Sequence, residues 1–254
     1  MIQILLADST EFYLKEKGLP DKEIVRDAWA KVTDTESEDV EVTKAVVALY
    51  SLSQEIQSLI KINEKLNHEL YLASIKRLEQ AFFPLNLGTN WQSPKQHLTE
   101  EALTRLQFCA NELCRYYSEE TLSEEELADI VAKTNELFEA LISSSLPDAL
   151  RLALLEEIER IRSAIHMYKI QGAKGLKEAL QSTMGAVIAN QEEIKSQSIS
   201  NSDVIERLGV LIDKLDKFTT RALKLKRALA NPIRFVLEKL TDDSDTTKSE
   251  DAES

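Results

Sequence analysis

The chain has 254 residues, of which 43% are hydrophobic and 30% charged, and its formal net charge is −13. This balance is typical of a folded globular protein and excludes a chain that is disordered throughout. Only six Gly and five Pro are present, too few for the many turns of a β sandwich or a doubly wound sheet, so we expect an all-α fold. The acidic balance disfavours general nucleic-acid binding, and no apolar run approaches the ~20 residues of a membrane span.

The N-terminal region, residues 1–34, is predicted to form a small helical unit. Residues 1–7 contain no basic residue before Asp8, which argues against a secretory signal. Cys109 and Cys114 lie five positions apart on a predicted helix. Their side chains therefore point about 140° apart and cannot pair there. We expect reduced thiols and a cytoplasmic location.

A long apolar seam follows, in the segment 38–82, which contains neither Gly nor Pro. Ten positions step three and four along it and share one face of a helix. One of the a positions of this heptad pattern holds Asn63, a residue type that sets register in coiled coils. The pattern predicts one helix of about 65 Å that needs a partner helix. The seam consists of Val42, Ala45, Leu49, Leu52, Ile56, Leu59, Asn63, Leu66, Leu70 and Ala73.

Two arrangements would cover this seam, and both stay open. Further apolar residues beside it, such as Val46 and Ile60, widen the face and favour a helical bundle within one chain. A self-associating coil would instead bury it against a second copy, so the expected partners are proteins, including a homo-oligomer. The residues predicted at that oligomer interface are Leu49, Leu52, Ile56, Leu59, Asn63, Leu66 and Leu70.

The end of the long helix is predicted at Phe83-Pro84, because the residue before a proline avoids helical dihedral angles. The loop 85–97 follows and carries Trp91 near its middle. An aromatic residue on a loop often marks a contact surface, so Trp91 is a candidate binding residue.

Further helices complete a bundle over residues 35–240. Ser123 and Glu126 have the spacing of a capping box and predict a helix start. A second long helix is expected from about residue 146, so that two unusually long helices form a coiled-coil-like hairpin. A turn or kink is expected in this second element at Gly172-Ala173-Lys174-Gly175.

The last main helix carries a basic cluster in this acidic chain. Lys217, Arg221 and Lys224 share one face, where they would bind phosphate groups, an acidic protein or an anionic membrane surface. The same cations would also complement the dipole at the end of the helix. Residues 241–254 lack an apolar anchor and predict a disordered acidic tail. The candidate binding residues are Lys217, Arg221, Lys224, Lys226, Arg227 and Trp91.

One pattern points to catalysis. Arg160 and His166, separated by five residues, resemble the Arg-x4–6-His signature of HEPN-type ribonucleases, which are also all-helical. The resemblance implies that the His acts as acid/base and the Arg contacts the phosphate. Ile161 stands where that family usually has a polar residue, and a six-residue step places the two side chains about 120° apart on a helix. Neither His68 nor His97 has a second His or Cys at metal-binding spacing, so no metal or other cofactor is expected.

The sequence therefore favours a non-enzymatic helical interaction protein, acting as a scaffold, adaptor or regulatory subunit. Two alternatives stay open. One is a metal-independent ribonuclease that uses Arg160 and His166. The other is a module that binds nucleic acid or an anionic surface through the basic C-terminal helix.

Overall fold

A computed structural model describes residues 18–115, 120–197 and 200–222 of the chain. These residues form ten helices and no β-strand, so the predicted all-α class is confirmed for this part of the chain. None of the described helices is long and apolar enough to cross a membrane. The predicted tail, 241–254, lies outside the described residues.

Two compact units make up the described chain. The first comprises 18–115 with Lys169–Gly172, and the second comprises Glu120–Tyr168 with 173–222. The helices of the first unit are α1 (Val25–Thr33), α2 (Asp39–Ile62), α3 (His68–Phe82), α4 (Gln92–Lys95) and α5 (Glu100–Cys114). The helices of the second unit are α6 (Glu124–Ser143), α7 (Asp148–His166), α8 (Tyr168–Ala189), α9 (Gln191–Gln197) and α10 (Ser202–Ala222). Within α8, Lys169–Gly172 belong to the first unit.

The segment 38–82 contains two helices, which corrects the prediction of one long helix. A turn, 63–67, separates α2 from α3, and Asn63 has extended dihedral angles (φ −93°, ψ 97°). The side chain of Asn67 caps α3 by accepting a hydrogen bond from the backbone N–H of Leu70 at 3.1 Å. Asparagine side chains that bond the backbone locally compete with helix continuation. Asn63 is therefore not an a-position residue inside a continuous helix.

The two helices pack against each other within the chain. One carboxylate oxygen of Glu79, on α3, accepts hydrogen bonds from three α2 side chains. In one continuous helix, Gln57 and Glu79 would lie about 33 Å apart. This polar cluster therefore requires the hairpin. Its donors are Ser53 Oγ at 2.9 Å, Gln54 Nε2 at 2.5 Å and Gln57 Nε2 at 2.5 Å.

Three aromatic rings lie together in the core of the first unit. The Trp91 side chain is fully buried, with its ring centroid 5.0 Å from that of Trp29 in an edge-on contact. Trp29 also contacts Phe82, at 5.5 Å between centroids. The backbone N–H of Trp91 donates to the carbonyl of Glu23 at 2.8 Å, which anchors the loop. α3 ends just before Phe83, as the Phe83-Pro84 pair predicts.

The second long helix is also interrupted. α7 ends at His166, and α8 is kinked at Gly172, whose dihedral angles (φ 61°, ψ −154°) are open essentially only to glycine. The predicted kink is confirmed, whereas the described residues contain neither a second unusually long helix nor a coiled-coil-like hairpin. The predicted capping box is present in full: Ser123 accepts from the backbone N–H of Glu126, and Glu126 accepts from that of Ser123.

Candidate functional site: the groove between α6 and α10

The helices α6 and α10 lie side by side in the second unit. Buried residues of α10 repeat at steps of three and four, which gives that helix one apolar face. Their partners in the same hydrophobic cluster include the inward face of α6. The α10 residues are Val204, Leu208, Leu211, Leu215, Phe218 and Ala222, and the α6 residues are Ile130, Leu137 and Leu141.

A ladder of ion pairs runs beside this apolar seam. The basic members are seven residues apart along α10 and therefore share one side of it. Acidic residues later in α6 pair with basic residues earlier in α10, so the two helices are antiparallel. The pairs are Glu126–Arg221 at 2.5 Å, Asp129–Lys214, and Glu136–Arg207 at 3.4 Å.

A groove of about 360 Å³ lies along the two helices, and we term it the α6/α10 groove. Its apolar lining includes Leu122, Phe218 and Val210, and Val210 is 44% exposed. Charged side chains of both signs form the rest of the lining. They are Glu126, Asp129, Asp213, Lys214, Lys217 and Arg221.

Two of the predicted binding cations, Lys217 and Arg221, line this groove. Arg221 is paired twice, with Glu126 at 2.5 Å and with Glu120 at 3.6 Å. The pKa of the Glu126 carboxyl lies below its ordinary value, because it accepts a hydrogen bond from the backbone N–H of Ser123 and one from Arg221. Lys217 is exposed and has no ion pair with any described residue. The two cations thus differ in their availability to a partner.

The groove is balanced in charge rather than basic, since it contains three cations and three carboxylates. This balance follows from tertiary structure, because α6 supplies two of the carboxylates. The other predicted cations, Lys224, Lys226 and Arg227, lie outside the described residues.

Trp91, the remaining predicted binding residue, lies in the core and not on a contact surface. Its exposed fraction is 0%, and its ring packs edge-on against Trp29 within the hydrophobic cluster. The sequence indicated only that the aromatic residue was on a loop, and that feature does not distinguish a buried ring from an exposed one.

The catalytic pair of the ribonuclease alternative is exposed on α7. Arg160 Nε donates to Glu157 at 3.2 Å, and Glu157 itself is buried. His166 is the last residue of the helix. Catalysis by these residues stays an untested alternative. Across the described ranges, no group of three or more His, Cys, Asp or Glu side chains is placed to hold a metal ion.

The residues predicted for an oligomer interface lie mostly in the first unit's own core. Leu52, Ile56 and Leu66 are buried there together with residues of α5. Leu49 and Leu59 are partly buried against the same unit. Leu70 is 37% exposed, and Asn63 lies in the turn between α2 and α3. Self-association through these residues stays a prediction.

Comparison of the chain with protein-family profiles, with curated proteins and with solved structures finds no match. The site is therefore interpreted from its own geometry. Sequence reasoning missed Val210, Asp213 and the α6 carboxylates. The seven-residue spacing of Arg207, Lys214 and Arg221 was a signal in the sequence that a helix with acidic residues lies alongside.

Proposed function

We propose that the chain is a non-enzymatic helical interaction protein that binds a protein partner in the α6/α10 groove. The observation that carries the proposal is the exposed Val210 side chain in an apolar lining. Asp213 and Lys217 flank it, and neither has an ion pair with another described residue. An apolar contact bordered by charges that remain open for pairing is the usual composition of a helix-binding groove.

The charge balance of the groove supports a protein partner. A protein helix carries residues of both signs, so it can meet Lys217 with a carboxylate and Asp213 with a cation. A second copy of the chain is one such partner, which would make the protein a homo-oligomer. The proposed role is that of a scaffold, adaptor or regulatory subunit in the cytoplasm.

Site-specific photo-crosslinking tests this proposal. A photoreactive amino acid replaces Val210 in the full chain, and the control places it at Ile188 on α8, which is 50% exposed but does not line the groove. We expect one discrete crosslinked species from position 210 that is lost when Lys217→Glu is added. A product of twice the 28.7 kDa chain mass would identify a second copy. The proposal is overturned if position 210 yields no product, or the same products as position 188.

A further inference from the structure

We infer that the carboxylates beside α10 exclude phosphate-bearing partners from the α6/α10 groove and so select for protein partners. The inference rests on the proposed function, since it concerns the specificity of the same groove. The residues responsible are Glu120, Glu126 and Asp129, and the cations they neutralise are Arg221 and Lys214.

Carboxylates already contact both cations, Arg221 and Lys214. The Arg221 guanidinium has one carboxylate on Nη2, at 2.5 Å, and another near Nε, at 3.6 Å. Lys214 Nζ contacts a carboxylate oxygen of Asp129. Arginine binds phosphate through the same paired N–H groups that it uses for carboxylates. A phosphate group would therefore have to displace side chains that are already in place.

The carboxylates also act at longer range. A phosphate placed on Lys217 would lie in a groove that three carboxylates line. Charges of like sign repel over about 8 Å at physiological salt, so each bound phosphate would meet this repulsion. A protein partner that presents both signs avoids it. Placing unfavourable charges against the wrong partner is a common means of specificity.

Removal of the negative charges of Glu120, Glu126 and Asp129 tests the inference. The variant carries Glu120→Gln, Glu126→Gln and Asp129→Asn, and glutamine at position 126 can keep the capping-box hydrogen bond. The matched control, Glu156→Gln with Glu159→Gln and Glu192→Gln, changes the net charge equally and removes the Glu159–Arg162 and Glu192–Lys195 ion pairs. The probe is a fluorescein-labelled single-stranded oligonucleotide of about 20 nucleotides. Binding is measured by fluorescence anisotropy across a salt series.

We expect the groove variant to bind the oligonucleotide at least about tenfold more tightly than the native chain at low salt. Its logarithmic salt dependence should be steeper by about 1.4, because Lys214 and Arg221 become available to phosphates in addition to Lys217. Adding Lys217→Ala should remove part of the gain. The control should stay within about twofold of the native chain. Equal affinities for variant and native chain, or an equal gain in the control, would overturn the inference.

A second variant controls for the possibility that the triple variant misfolds. Glu120→Gln with Asp129→Asn leaves the capping box untouched, and it should show a smaller gain in the same direction; no gain would count against the inference. Circular dichroism confirms the helical content of each variant. The photo-crosslinking at position 210 does not depend on oligonucleotide binding, so failure of the proposed function and failure of this inference are separate results.

Discussion

The α2–α3 hairpin makes a quantitative prediction about the pair Gln57 and Glu79. Gln57 is 7% exposed, and its Nε2 atom lies 2.5 Å from Glu79 Oε1. We consider Gln57→Ala, Glu79→Ala and the double variant as a thermodynamic cycle. The cycle isolates the energy that the two side chains share.

The structure sets the expected size of this coupling. A hydrogen bond to a charged group contributes about 1.5–3 kcal/mol, and a buried donor left without an acceptor costs about 1–3 kcal/mol. Ser53 has a second acceptor, the carbonyl of Tyr50 at 2.7 Å, so the loss of Glu79 leaves Gln57 as the main unsatisfied group. We therefore expect a coupling free energy of about 1–2 kcal/mol between Gln57 and Glu79.

Urea denaturation followed by tryptophan fluorescence measures the cycle. Both tryptophans of the chain, Trp29 and Trp91, lie in the first unit, so the signal reports the unfolding of that unit. The exposed pair Glu101 and Arg105 on α5 serves as a comparator, with an expected coupling of about 0.5 kcal/mol or less. A Gln57–Glu79 coupling no larger than that of the comparator would refute the hairpin.

Three further predictions concern packing, backbone and thiol chemistry. Trp91→Ala should lower the free energy of unfolding by about 3–5 kcal/mol in urea, because it empties a fully buried site; a loss below about 1 kcal/mol would place the ring at the surface. Gly172→Ala should cost about 1–3 kcal/mol in the same assay, since alanine is strained at φ 61°, and an unchanged stability would contradict the kink. Burial raises the pKa of Cys109 to about 12, so only about one thiol in 10⁴ is ionised at pH 8. Peptide mass spectrometry should find Cys109 alkylated slowly by iodoacetamide, and faster as pH rises toward that pKa; alkylation at pH 8 as fast as in the unfolded chain would contradict its burial.

The elements that sequence reasoning placed correctly depend on signals within one helical turn. Ser123 and Glu126 complete each other's hydrogen bonds across three residues, so their spacing alone marks the start of α6. The turn 63–67 was missed for a physical reason. The spacing of three and four continues through it with Asn63 as the one polar member, and periodicity cannot reveal a break that keeps the spacing. Asn63 and Asn67 were the only local indication.

The candidate site was predictable only in part. The sequence placed Lys217 and Arg221 on one side of a helix, and both line the α6/α10 groove. It did not show that Glu126 pairs with Arg221, because the two residues are 95 positions apart in the chain. Neutralisation of a basic cluster by a neighbouring helix is a property of tertiary packing.

The most direct test of the proposed function is the affinity of the partner identified at position 210 for variants of the groove. Isothermal titration calorimetry compares the native chain with Val210→Glu and with Ile188→Glu as the control. Because Val210→Glu places an unpaired charge on the apolar lining, we expect it to weaken binding at least about tenfold, or about 1.4 kcal/mol. The control should bind within about twofold of the native chain. Native affinity in Val210→Glu would contradict the assignment of the α6/α10 groove as the binding site.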